Sequence, residues 1–175
     1  LPNVYPGYQK VDVPENKAKF EQAWGVELDG APGLTHLEIL RGVSGGTIKA
    51  IYLVGENPAL SEADATHAQK AMEDVDFRVV HDIFMTESAR YADVVLPAAS
   101  FAEKDGTFTN TERRVQRVRQ AIAPVGESRS DLWITCEIAR RMGAPGFDFE
   151  NAADVMAELA ALTPQYGGIT HERIE

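Results

Sequence analysis

The stretch IKAIYLVG, residues 48–55, decides how this chain folds. Six of its eight residues are apolar, and glycine stands on either side at Gly46 and Gly55. A continuous β-rich apolar run of this length reads as a strand buried on both faces, the kind found in parallel sheets. Parallel strands need a crossover, so a helix must follow. After GENPAL, Ser61 and Asp64 supply capping residues for a helix running to about Met72. FRVVHD, 77–82, is a second apolar strand; Thr86 and Glu87 open a brief helix that ends near Tyr91; ADVVLPA gives a third strand at 93–97. Strand, helix, strand, helix, strand is the doubly wound pattern of an α/β fold with a parallel sheet flanked by helices.

The flanks are less regular. Residues 1–33 are dense in proline, glycine and aromatics and read as an irregular arm packed on the domain. Thr35 with Glu38 three residues on makes a capping box, for a short helix ending near Gly42 before the Gly45-Gly46 break. Beyond the third strand, VQRVRQ (115–120) alternates imperfectly, which predicts a half-exposed strand with its arginines on the wet side. DLWITCEIARRMG has Ser130 as N-cap and Gly143 as stop; NAADVMAELAALTP starts at Asn151 and Asp154 and ends at Pro164. The expected organisation is an arm over 1–33, a core over 34–145, and a C-terminal helix and tail over 146–175.

Composition excludes several classes. The 175 residues are 44% hydrophobic and 25% charged, an ordinary globular balance. Net charge is −10, so the mean field repels nucleic acid and anionic lipid, and any anionic ligand must be captured locally. A single cysteine, Cys136, rules out a disulfide framework or a cysteine-ligated cluster within these residues; in LWITCEIA it reads as a small buried hydrophobe. No apolar run approaches the ~20 residues of a membrane span. The chain starts at Leu1 rather than methionine, which suggests an excised piece of a longer protein.

In open α/β sheets, ligands bind at the carboxyl ends of the strands. That rule selects Gly55 to Pro58, His81-Asp82, and Pro97 to Lys104, with helix N-termini near Ser61 and Thr86 expected to aim N–H groups into the same crevice. The motifs of a dinucleotide fingerprint or a P-loop are missing, Ser100 lacks a nucleophile elbow, and the four histidines have no metal spacing with one another. Asp82 is either a turn former or an acceptor for ribose hydroxyls or a guanine edge. His81 reads as a loop histidine or a ligand, and Asn57 before proline as turn chemistry. Lys104 with Arg113, Arg114, Arg117 and Arg119 is either a solvated face or a local cation source. Periodicity leaves these alternatives open.

GENP (55–58), VVHDIFMTESARYADVVLPAASFAEKDGTFTNTERRVQ (79–116) and GESRSDLWITCEIARRMG (126–143) together resemble the third domain of the large subunit of the molybdopterin oxidoreductases, the dimethyl-sulfoxide-reductase family. LPNVYPGYQKV and DIFMTESA look most like its formate dehydrogenase branch, in the catalytic α subunit; the corresponding domain of a nitrate reductase, or of a non-catalytic NADH–quinone reductase large subunit, is the alternative. The resemblance implies a Rossmann-like cofactor-binding core and a bis(molybdopterin guanine dinucleotide) cofactor carrying molybdenum or tungsten, for two-electron oxidation of formate to carbon dioxide. Carried over by position, the cofactor contacts fall on Asn57, His81, Asp82, Lys104 and Asp131, with Thr86 weaker. At His81 relatives often carry a small polar residue. Joint presence of Asn57, Asp82, Lys104 and Asp131 favours the cofactor enzyme over a scaffold. Lys104 would meet phosphate; Asp82 and Asp131 would meet guanine or ribose. The resemblance places the catalytic residues, the metal ligand and an iron–sulfur cluster in other segments of the parent, so this piece alone is expected to be inactive. It also implies the remaining domains of the same subunit and electron-transfer subunits as partners, and formate as the parent's substrate; the expected location is cytoplasmic, with the periplasm as the alternative.

Overall fold

Each of the three apolar runs becomes a strand, and the stretches between them become helices or turns. The computed structural model describes residues 1–175 and divides them into two units: Leu34–Ser100 with Pro124–Asp131, and Leu1–Gly33 with Phe101–Ala123 and Leu132–Glu175.

In the first of these units, strands β3 (Ala50–Val54), β4 (Phe77–Asp82) and β5 (Val94–Pro97) form a parallel sheet in the order β3-β4-β5. The register puts Tyr52, Val79 and Val94 in one row, and Val54, His81 and Leu96 in the next on the same face. The opposite face carries Ile51, Leu53, Val80 and Val95. Ile51 and Leu53 pack with Leu40 and Val43 of helix α2 (His36–Ser44) and with Ala68, Ala71 and Met72 of helix α4 (Ala65–Asp74). Met72 and Val80 are fully buried, each stabilising by roughly 1.5–3 kcal/mol relative to an exposed side chain. The Thr35–Glu38 capping box forms as expected. Helix α2 then runs through Gly42 to Ser44, because a Cβ on Gly42 would lie 2.7 Å from Ile48 Cγ1: the glycine lets the chain fold back closely onto the helix. Of the two expected caps of α4, Asp64 accepts from the His67 N–H at 3.0 Å. Ser61 instead closes a separate four-residue helix, α3 (Pro58–Ser61), and the expected helix after Thr86 is a single 3-10 turn, Ser88–Tyr91.

Segment 124–131 returns to this sheet. A parallel bridge joins Ala98 to Arg129, with Ala99 N–H donating to Arg129 O at 2.8 Å and Arg129 N–H to Pro97 O at 3.1 Å. These bonds extend the sheet past the end of β5 and deliver Asp131, first residue of helix α5 (Asp131–Arg141), to the strand carboxyl ends.

In the other unit, the arm is not irregular. Strands β1 (Val4–Tyr5) and β2 (Gln9–Lys10) form a small antiparallel hairpin, and Pro14–Trp24 is an eleven-residue helix, α1, with Pro14 in its first turn. Only Phe20 of α1 is buried, packed 4.7 Å from the Tyr5 ring and 4.9 Å from Trp24, so the sequence carries almost no amphipathic signal there. Strands β6 (Gly106–Thr109) and β7 (Val115–Val118) pair antiparallel. Of the two arginines expected on the wet side, Arg119 is 55% exposed, but Arg117 is not: its side chain is only 16% exposed, donates to Gly106 O at 3.0 Å and Val118 O at 2.9 Å, and lies 3.6 Å from Asp105. Cys136 of α5 is buried, and helix α6 (Ala152–Leu162) starts at the Asn151–Asp154 capping box.

Candidate functional site at the strand carboxyl ends

At the end of β3 the chain turns through Gly55 in the left-handed region (φ +63°), and the Gly55 N–H donates to His81 O at 2.9 Å. Asn57 follows. Its Oδ1 accepts from both the N–H and the hydroxyl of Ser88, at 3.0 and 2.8 Å, and its Nδ2 donates to Glu87 Oε2 at 2.8 Å. The bond from Asn57 holds the Glu87 carboxyl below the usual carboxylate range. Asn57 therefore ties the loop after β3 to the turn after β4; its amide is committed to protein partners.

His81 is a strand residue, 1% exposed, and not the loop histidine that its neighbourhood suggested. The Tyr52 hydroxyl oxygen lies 2.9 Å from its Nδ1, with the two rings nearly parallel at 16°, and Asp131 Oδ1 lies 3.1 Å from its Nε2. With the proton on Nε2 the ring faces the carboxylate at ion-pair distance, and Nδ1 is left to accept from the tyrosine hydroxyl. The Tyr52 hydroxyl is pushed up in pKa, first by burial and second by the Asp131 charge. The Asp131 side chain remains 44% exposed. It presents a carboxylate, fixed from behind by a buried imidazole, to whatever occupies the crevice.

Asp82 behaves as a turn former: its Oδ1 accepts from the Phe84 N–H at 3.0 Å. The next three residues, Ile83, Phe84 and Met85, are exposed and apolar. Thr86 Oγ1 accepts from the Ala89 N–H at 3.2 Å, a local cap. Of the expected helix N-termini, the one near Ser61 starts at Asp64 instead, whose own carboxylate caps α4, and the one near Thr86 is only the 3-10 turn Ser88–Tyr91. Glu56, Asp82, Glu87 and Asp131 make this region acidic and suit it to hydrogen-bond donors rather than phosphate.

Four of the five expected site residues, Asn57, His81, Asp82 and Asp131, thus belong to one unit and sit at its strand ends. Lys104 belongs to the other unit. It lines a shallow depression of about 170 Å³ with Phe101, Asp105, Gly106, Thr107, Phe108 and Val118, next to the β6–β7 hairpin. Tyr52 and Glu87 went unforeseen. For Tyr52 the available signal was alternation within AIYLV, which places it on the same face as His81 once the register is known.

The molybdopterin oxidoreductase family model matches residues 8–141. The chain is 48% identical, over 176 residues, to the F420-dependent formate dehydrogenase subunit alpha of Methanocaldococcus jannaschii, covering 100% of this chain and 26% of that protein. It is 46% identical over 175 residues to YrhE of Bacillus subtilis, covering 18% of that protein. The acetylene hydratase of Pelobacter acetylenicus superposes on 93% of this chain with a TM-score of 0.65 at 23% identity, a likeness of fold alone. The chain thus spans between 18% and 26% of the length of the curated relatives it matches. With the family model covering most of its length, this chain belongs to the molybdopterin oxidoreductase family.

Proposed function

We propose that residues 1–175 are part of the catalytic subunit of a formate dehydrogenase, and that the crevice at the ends of β3, β4 and β5 holds the nucleotide end of a bis(molybdopterin guanine dinucleotide) cofactor. The observation that carries this reading is the half-exposed Asp131 carboxylate backed at 3.1 Å by a buried histidine. A carboxylate fixed in this way is an acceptor for paired N–H donors such as the guanine edge, or for ribose hydroxyls. Asp82, one oxygen already bound to Phe84 N–H, offers its other oxygen to the same kind of donor. His81 acts as a positioning residue through Asp131, and Asn57 by setting the two loops. Neither carboxylate favours pyrophosphate in a chain of net charge −10, so the phosphates require a cation, for which Lys104 is the candidate.

When bound, the cofactor supplies the molybdenum or tungsten centre at which formate loses two electrons and a proton to give carbon dioxide. The residues described here bind and orient it. The metal ligand, an iron–sulfur cluster and the electron-accepting subunits are assigned to other parts of the assembly. No helix is long and apolar enough to cross a membrane, and a cytoplasmic location completes the reading.

The test uses the full-length parent. Replacing Asp131→Asn removes a charged acceptor, which is worth about 1.5–3 kcal/mol or roughly 10- to 100-fold in affinity. Metal and guanine-nucleotide content should fall together with formate-dependent dye reduction; Lys104→Ala should do the same. If both variants keep full metal, nucleotide and turnover, the proposal is wrong.

A further inference from the structure

On the sheet face that carries Val54, Val79, Val94 and Leu96, the polar side chains are those of Tyr52 and His81. Tyr52 stands opposite Val79, so His81 is its diagonal neighbour, one row nearer the carboxyl ends. The tyrosine leans along the strand toward that ring, with centroids 6.2 Å apart and planes 16° from parallel. A phenylalanine would fill the same space. What tyrosine adds is the hydroxyl 2.9 Å from His81 Nδ1.

That hydroxyl has a proton to give. Its pKa is raised, first by burial and second by the Asp131 charge, so it stays protonated at neutral pH. Donation to Nδ1 uses the lone pair there and leaves the proton of a neutral imidazole on Nε2, facing Asp131 Oδ1 at 3.1 Å. The opposite tautomer would turn the Nε2 lone pair toward the carboxylate at that distance, setting two electron-rich atoms against each other. The His81 ring is 1% exposed, so protein partners rather than water decide its orientation. Asp131 is placed differently. It opens helix α5 with its side chain 44% exposed, where an unheld carboxylate samples several rotamers.

We propose that Tyr52 is a positioning residue of the crevice: its hydroxyl fixes the tautomer of His81 and, through that ring, the presentation of the Asp131 carboxylate to the bound nucleotide. The role rests on the crevice holding the cofactor's nucleotide end. Tyr52 acts at one remove, so losing its neutral hydrogen bond should cost roughly 2- to 10-fold in affinity, less than the loss of the charged acceptor itself.

The test compares Tyr52→Phe, Asp131→Asn and the double variant in the full-length subunit. Two quantities are read: guanine-nucleotide content, and nitrogen NMR of isotope-labelled histidine, with the His81 signals assigned by their absence in His81→Gln. The native protein should show Nδ1 bare and Nε2 protonated. Tyr52→Phe, which keeps the aromatic ring, should mix the two tautomers and lower nucleotide content; in the Asp131→Asn background it should lower it no further, because the acceptor it acts through is gone. An unmixed His81 signal in Tyr52→Phe overturns the proposal. So does an equal further loss in the double variant, which would mark the hydroxyl as structural, and so does full nucleotide content in Tyr52→Phe where Asp131→Asn loses it. Full content in Asp131→Asn refutes the crevice reading and with it the nucleotide half of this one, whereas the His81 signal, which needs no nucleotide, still decides whether Tyr52 sets the tautomer.

Discussion

The replacement Asn57→Ala isolates the clamp that ties the loop after β3 to the turn after β4. Ser88 is fully buried; its N–H and hydroxyl both donate to Asn57 Oδ1, while its Oγ accepts from Ala59 N–H at 3.1 Å. Alanine would leave two buried donors without an acceptor, each costing about 1–3 kcal/mol. The Ser88 amide is the direct reporter. In the full-length protein its exchange should accelerate by roughly 5- to 150-fold, the factor corresponding to about 1–3 kcal/mol of local opening. Asn57→Asp makes the argument sharper, because it keeps an acceptor for Ser88 and sets a carboxylate against Glu87. In the native chain Glu87 is held below its ordinary pKa, so its contribution is present at neutral pH and is lost as pH falls through that lowered value. In the Asn57→Asp variant the two carboxylates repel, one titrates upward, and mild acidification should instead restore Ser88 protection. Unchanged Ser88 exchange in Asn57→Ala, or the same pH trend in both proteins, would refute the clamp.

Two further outcomes follow from packing and charge. Arg78 forks onto Asp93, Nε to Oδ2 at 2.9 Å and Nη2 to Oδ1 at 3.0 Å, and this holds the Asp93 carboxyl below its usual range. That stability is complete above the ordinary carboxylate pKa and disappears as pH falls through the lowered one. Arg78→Ala should therefore lose stability at neutral pH and show a weaker acid dependence, followed by circular dichroism in an acid titration; an unaltered profile would contradict it. Phe20→Ala, which empties a fully buried site between Tyr5 and Trp24, should cost about 3–5 kcal/mol in denaturant unfolding, and a loss below about 1 kcal/mol would show that the arm is not packed as described.

The parallel sheet was legible because IKAIYLVG, FRVVHD and ADVVLPA each carry their own strand signal and the capping residues Thr35, Asp64 and Asn151 mark helix starts locally. Helix α1 was not legible, since a helix that buries one residue in eleven has no apolar stripe to read. Arg117 was misjudged for a related reason: alternation assigns faces within a strand but does not say which face a neighbouring hairpin strand will cover.

Local chemistry in the sequence determined the strands, the caps and the acidic character of the chain, because apolar runs, capping side chains and charge are properties of neighbouring residues. Tertiary structure alone decided that His81 is buried, that Asp131, fifty positions later, stands at its Nε2, and that Tyr52 closes the other side of the ring. Those contacts depend on strand register and on the return of segment 124–131 beyond β5, and such long-range pairings leave no periodic trace in the chain that forms them.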